Sequence, residues 1–279
     1  MKYTIVLFLI SLLSFQPSAG KNPPKGKLFI IGGGSRSDEM VNRLITEASL
    51  RQGGYVFILP MASEVPDSSI LWAREDFAAT DLTSMPGFVF KKGEVPPADK
   101  IDSLKSARLI FICGGDQSRF MDVVRNTPVM DAIIEAYSNG AVIAGTSAGA
   151  AVMSQVMITG NQKKHTDPDA GFTTIESDNI ETVQGLGLLK EVIIDQHFIK
   201  RQRLNRLVTV SIENPDKLCV GIDESTAIIV EGNMARVTGI GQAVVIENKL
   251  SEKTVKNGLL GTEGLEVSVY LPGDKFRIR

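Results

Sequence analysis

Ala141-Val-Ile-Ala-Gly-Thr-Ser-Ala-Gly-Ala150 is the stretch that decides the fold. Its first four residues form an apolar run without polar alternation, which reads as a strand covered on both faces, and a glycine ends it. The alanine-rich segment Ala150 to Gln155 then reads as a helix. The same unit recurs upstream. Lys27-Leu-Phe-Ile-Ile31 runs into Gly32-Gly33-Gly34 and a segment with apolar residues at Met40, Leu44, Ile45 and Ala48, a helical spacing. Tyr55 to Leu59 ends at Pro60 and leads through a helix over 70–79 toward Phe88-Val89-Phe90. Leu109 to Cys113 ends in Gly114-Gly115-Asp116 and leads into a helix over 120–137. The repetition predicts an α/β chain with a mostly parallel sheet and helices on both faces.

From Asp216 the pattern changes to short β-like pieces at 218–222, 227–230, 234–237 and 243–246, with a tight hairpin turn at Gly232-Asn233. These read as antiparallel strands added to the edge of the same sheet. Residues 27–247 form the expected α/β domain. Residues 248–279, charged and glycine-rich with one strand at 265–271, form a C-terminal extension packed on or beside it.

Met1-Lys2, the apolar run Ile5 to Leu13, and the small residues Ser18-Ala19-Gly20 are the three parts of a secretory signal peptide in order. The run, about nine residues, is short for a ~30 Å hydrocarbon core. A leader over 1–20 is therefore expected, with a mature protein that is periplasmic or secreted and free of the membrane. Thirty basic residues against 32 acidic ones give a formal charge of -2 without a basic stripe, which disfavours nucleic acid as a partner. Cys113 and Cys219 both lie in apolar runs and are expected as buried free thiols rather than one bridge. No cluster with metal-ligand spacing is visible, and the expected chemistry needs neither metal nor cofactor.

Gly145-Thr146-Ser147-Ala148-Gly149 fits G-x-S-x-G between a strand and a helix, the setting of a nucleophile elbow. On that turn the Ser147 hydroxyl projects above the carboxyl ends of the strands, and the Ala148 N–H can donate to an oxyanion. Gly115 offers a second donor, because glycine lets a backbone N–H crowd a reacting carbonyl. The same pentapeptide also reads as a glycine-rich turn with Ser147 as a helix N-cap.

Of the two histidines, His197 ends the apolar strand beginning at Val192, where an open parallel sheet places its active groups. It is expected to meet Ser147 at the rim of one sheet and take its proton near neutral pH. His165, in a polar stretch, reads as a solvated loop residue. The acid that would orient the imidazole stays open among Asp167, Asp169, Glu176 and Asp178, with Asp195 and Glu224 as outside candidates. Gly32-Gly33-Gly34 fails the G-x-G-x-x-G spacing, since the sixth position is Ser37, and reads as a tight turn.

Gly114-Gly115-Asp116-Gln117, GTSAGA over 145–150, Gly185-Leu-Gly-Leu-Leu189 and Asp195-Gln196-His197-Phe198, followed by Arg201, Arg203 and Arg206, are a combination with a precedent. The set resembles the cyanophycinase branch of peptidase family S51, serine peptidases related to aspartyl dipeptidase. The resemblance runs over residues 27–247. It implies a class I glutamine-amidotransferase-like (flavodoxin-like) fold, Ser147 as nucleophile and His197 as base. It also implies a homodimer and a substrate site lined by Gln117, Asp195, Gln196, Arg201, Arg203 and Arg206. The implied reaction releases β-Asp-Arg dipeptides from cyanophycin, a poly-aspartate backbone bearing arginines, through an acyl-enzyme.

Elementary chemistry agrees in part, because guanidinium groups hold carboxylates through paired hydrogen bonds. A helix over 198–212 would put Arg203 and Arg206 on one face and Arg201 elsewhere. The same arginines also read as a solvated basic face. Two other functions compete: an exopeptidase for short aspartyl or isoaspartyl peptides, and a catalytically silent protein that binds aspartyl-arginine ligands.

Overall fold

The computed structural model describes residues 23–167 and 171–278. The expected leader and Asp169 lie outside the described residues. In chain order the elements are β1 (Lys27–Ile31), α1 (Asp38–Glu47), β2 (Val56–Leu59), α2 (Pro66–Asp76), α3 (Ala98–Ser106), β3 (Leu109–Ile112), α4 (Gln117–Val124) and α5 (Pro128–Asn139). They continue with β4 (Val142–Thr146), α6 (Ala148–Ala151), β5 (Val156–Gln162), β6 (Ile180–Gln184), β7 (Val192–Gln196), α7 (Leu204–Glu213) and β8 (Leu218–Ile222). The last strands are β9 (Thr226–Glu231), β10 (Met234–Gly239), β11 (Ala243–Asn248), β12 (Thr254–Lys256), β13 (Leu259–Gly261), β14 (Leu265–Tyr270) and β15 (Lys275–Arg277).

Seven strands make one sheet in the order β15-β10-β9-β1-β4-β3-β2. Its β1, β4, β3 and β2 run parallel, while β9, β10 and β15 continue it antiparallel. Alternate residues of the parallel strands serve opposite faces. Phe29, Ile31, Ile58 and Phe111 pack with Met40, Leu44 and Ile45 of α1 and Ala73 of α2. Leu28, Ile30, Ile110 and Ile143 pack with Phe120 and Met121 of α4 and Ile133 and Ala136 of α5. Both faces are therefore dry, which explains the unbroken apolar runs.

The structure departs from the sequence expectation at four places. The strands after Asp216 do not all join one edge: β8, β11 and β14 pair with β7 in a separate sheet of order β14-β11-β8-β7. There β7 and β8 are parallel and the rest antiparallel. The helix expected over 120–137 is two helices, because Asn126 takes a left-handed φ of 58° and Pro128 has no N–H to continue a ladder. Phe88-Val89-Phe90 forms no strand, the pairing there being one bridge between Ile58 and Gly87. The helix after Ser147 is a single turn. Residues 248–279 are tied into both sheets, β14 pairing with β11 and β15 with β10.

Cys113 and Cys219 are free and buried. They sit in different apolar clusters, one between the first sheet and α1 and α2, the other between the second sheet and α7. Burial pushes both thiols up to about 12, so neither supplies thiolate near neutral pH. Ellman's reagent should leave the native protein unlabelled and titrate two thiols after denaturation; a native thiol that reacts within minutes would contradict this packing.

Candidate active site

Ser147 closes β4 with φ 54° and ψ -112°. An L-residue held there stores about 1–3 kcal/mol of backbone strain, which the surroundings must oppose. Part of that restraint is the hydrogen bond donated by the Ser147 N–H to the Ile31 carbonyl, 3.0 Å. The small residues of the turn have a packing reason. A Cβ on Gly149 would lie 2.3 Å from the Ile112 carbonyl oxygen. The chain can therefore turn directly from β4 into α6 against β3 only with glycine there.

His197 follows β7, also with positive φ (49°), and its N–H donates to the Gly32 carbonyl at 2.7 Å. Its Nε2 lies 2.8 Å from Ser147 Oγ and its Nδ1 lies 2.7 Å from Glu224 Oε1. With Glu224 accepting the Nδ1 proton, Nε2 is left to accept the serine hydroxyl proton. Glu224 sits on the three-residue link between β8 and β9, where the chain crosses from the second sheet to the first. The meeting of Ser147 and His197 expected at the rim of one sheet is thus a meeting of two sheets: β4 belongs to the first and β7 to the second.

The glycine run after β1 is more than a turn. Gly33, at φ 114°, faces the imidazole so closely that a Cβ would lie 2.3 Å from His197 Cε1. Its carbonyl accepts the Ser225 N–H at 2.7 Å, next to Glu224. Burial holds the His197 imidazole below the ordinary histidine value, with Arg201 and Arg203 pushing the same way and the Glu224 hydrogen bond opposing them. The hydrogen bond with His197 lowers the Glu224 carboxyl further below its usual range. A neutral imidazole beside a carboxylate is the resting state.

The other acid candidates stand elsewhere. Glu176 lies 3.3 Å from His165 Nε2 in the loop before β6, and that histidine is substantially exposed. Asp178 is exposed before β6, and Asp167 is exposed on the same loop as His165. Glu224 was legible only as an outside candidate, because it lies beyond His197 in sequence. Asp195 turns away from the imidazole: it is 1% exposed and paired with Arg206, itself 2% exposed, through Nε to Oδ2 at 2.9 Å and a second contact from Nη2.

Of the residues implied as substrate-lining, Arg203 and Arg206 border a cavity, Arg201 is exposed, and Gln117, Asp195 and Gln196 are buried. Helix α7 begins at Leu204, later than the helix expected from 198, because residues 198–202 turn and Arg203 caps it. Arg203 donates to the carbonyl and the side-chain oxygen of Gln196. Burial, with Arg206 beside it, pushes the Arg203 guanidinium down to about 10, which leaves it charged at neutral pH. The Gln117 amide donates to the Ile158 carbonyl at 2.9 Å and to the Thr159 carbonyl at 2.5 Å, tying α4 to β5. Gly114, the residue before Gly115, approaches the serine, its Cβ position lying 3.5 Å from Ser147 Cβ, and Ala148 opens α6, where helix N–H groups lack partners within the helix. Beyond Arg203 and Arg206 a cavity of about 490 Å³ opens, bounded by Gly160, Lys163, Phe172 and Glu181 among others.

A serine on a strained strand-to-helix turn, bonded to a histidine that is bonded to a carboxylate, in an α/β sheet, defines a serine hydrolase class of site. The profile of peptidase family S51 matches residues 28–238. The chain is 30% identical over 274 residues to a cyanophycinase of Trichormus variabilis, covering 92% of this chain and 88% of the relative. It is 32% identical over 236 residues to a cyanophycinase of Geminocystis herdmanii, covering 79% and 81%. Its fold is similar to the crystal structure of a peptidase from an acI-B1 actinobacterium, at a TM-score of 0.64 and 20% identity, over 90% of this chain and 99% of that one. The chain belongs to peptidase family S51, with the flavodoxin-like α/β fold, and is a serine-type peptidase.

Replacing Gly33 by alanine should force His197 off Ser147. Displacement of a reacting group by about 1 Å costs on the order of 10²-fold in rate, so peptidase activity should fall at least that far while far-UV circular dichroism keeps its native form. Full activity in Gly33→Ala would show that the glycine does not set the imidazole's position.

Proposed function

We propose that the protein is an exported serine peptidase acting on β-aspartyl peptides, which degrades cyanophycin to β-Asp-Arg dipeptides by cleaving its backbone amides through an acyl-enzyme. The observation that carries this reading is the continuous relay from Ser147 Oγ through His197 to Glu224, at 2.8 and 2.7 Å. His197 Nε2 takes the hydroxyl proton as Oγ attacks the backbone carbonyl of a β-Asp-Arg unit, and the oxyanion is met by the N–H groups of Gly115 and Ala148. Collapse breaks the C–N bond, and the imidazolium returns its proton to the leaving amine. Water then adds to the ester with His197 again as base, releasing the dipeptide's backbone α-carboxylate and restoring Ser147. Glu224 holds the Nδ1 tautomer and balances the imidazolium charge.

The substrate is supported by the names of the curated relatives, cyanophycinases that align over most of this chain. Arg203, beside the site, suits the free α-carboxylates that the arginines of cyanophycin carry. Export rests on the leader pattern over residues 1–20, and a homodimer on the family resemblance alone.

Incubating the mature protein with cyanophycin and identifying the products by mass spectrometry is the direct test. Release of β-Asp-Arg is expected, and Ser147→Ala should lower kcat on the order of 10⁵–10⁶-fold. Hydrolysis of short aspartyl peptides with the polymer untouched would select the exopeptidase instead. Binding without hydrolysis, and without labelling by a fluorophosphonate probe, would select a silent ligand-binding protein.

The pH profile gives a second test. His197 must be neutral to act, and its value lies below the ordinary ~6.5, so kcat/KM should rise with pH through a midpoint below that figure and be lost under it. Glu224→Gln should lower kcat on the order of 10³–10⁴-fold. A variant at that position with wild-type kcat would remove Glu224 from the relay.

A further inference from the structure

We propose that Glu181 selects the cationic side chain of the substrate, its free carboxylate oxygen receiving the guanidinium of the arginine in a β-Asp-Arg unit; this rests on the β-aspartyl reading above. Glu181 is half-buried on β6 and lines the cavity that opens beyond Arg203 and Arg206. Its Oε2 accepts two hydrogen bonds, from Thr159 Oγ1 at 2.8 Å and Asn161 Nδ2 at 2.9 Å. These hold the carboxyl below its usual range and fix the group's orientation. Oε1 accepts no hydrogen bond among the described residues. A pre-oriented, ionised carboxylate with one open oxygen is what a planar guanidinium fork matches.

The cavity is linked to the catalytic histidine through Arg203. Arg203 lines it and also grips Gln196, the residue before His197. Gly160, on its wall, takes a φ of 100°, which an L side chain rarely adopts. Arg203 stands on one side and Glu181 on the other, while Asp195 meets the charge of Arg206, a pattern complementary to a zwitterion with one carboxylate and one guanidinium.

The remaining charged groups of the cavity leave Glu181 to the ligand. His165 is paired with Glu176. Asp167 already has an interaction of its own. Lys163 adds a favourable charge near Glu181 but is exposed, on a flexible stem that an arriving guanidinium can displace. Phe172 already carries Arg206 over its ring, with the guanidinium carbon 4.6 Å from the centroid, so that face is taken. Glu181 is left as the acceptor for a second guanidinium.

The test uses the full mature chain carrying Ser147→Ala, titrated calorimetrically with β-Asp-Arg and with β-Asp-citrulline, which keeps the shape and lacks the charge. Arginine should be preferred by about 10-fold, the scale of one charge-assisted contact. Glu181→Gln should bring the two dipeptides to near parity, and Glu181→Asp should keep part of the preference. With Ser147 present, Glu181→Gln should raise KM for cyanophycin by more than it lowers kcat. An arginine preference unchanged by Glu181→Gln, no preference at the outset, or no binding of either dipeptide overturns the inference. If cyanophycin is still hydrolysed in those cases, the relay at Ser147 stands alone. Conversely, a Glu181-dependent preference in a protein that hydrolyses no β-aspartyl substrate keeps the cavity and removes the catalytic reading.

Discussion

Three consecutive carbonyl oxygens at the end of β1 organise the whole site. Ile31 accepts the N–H of Ser147, Gly32 that of His197 and Gly33 that of Ser225, at 3.0, 2.7 and 2.7 Å. Each donor belongs to a residue with positive φ, at 54°, 49° and 52°. Such a backbone is unfavourable for an L-residue by itself, and it persists where the surroundings over-determine it. Here one segment does this for three others, so nucleophile, base and acid are located relative to a common edge rather than to one another. The segment must carry glycine at 33, because the imidazole occupies the space a side chain would need.

Behind that edge the charges are arranged in depth. Asp195 and Arg206 are buried together, and neither is available to the imidazole. Losing one partner of such a pair leaves an uncompensated charge, at a cost of about 3–5 kcal/mol. Their value is positional: Asp195 also accepts the Gln196 N–H at 2.7 Å, which fixes the peptide leading into His197. Arg203 clasps the same peptide from outside. The histidine is therefore held through its own backbone as well as through Glu224, and the nearby cations help burial keep the ring unprotonated.

The parallel core was legible because both its faces are buried, so each strand announces itself as an apolar run closed by glycine or, after β2, by Pro60. Ser147 and His197 were legible because their turns follow such runs. The second sheet was not, since β7 and β8 read like strands of the first and period alone cannot say which neighbour a strand will choose. Glu224 was hard to single out for a related reason: it lies 27 residues past His197, and only the crossing from β8 to β9 returns it. The break at Pro128 was visible in the sequence and was outweighed by the apolar spacing around it. Gly33 could be seen, but its task depends on a ring that arrives 164 positions later, and no local pattern encodes that.

The seam between the two sheets also sets when the chain becomes able to react. Ser147 is synthesised 50 residues ahead of His197, and Glu224 comes later still. Closing loops of that length precedes any reward from the contacts they make. A nascent or half-folded chain therefore presents a serine of ordinary reactivity, and hydrolytic competence arrives with the docking of the last strands. For a peptidase this is a built-in safeguard: whatever surrounds the chain before its strands dock meets an inert polypeptide.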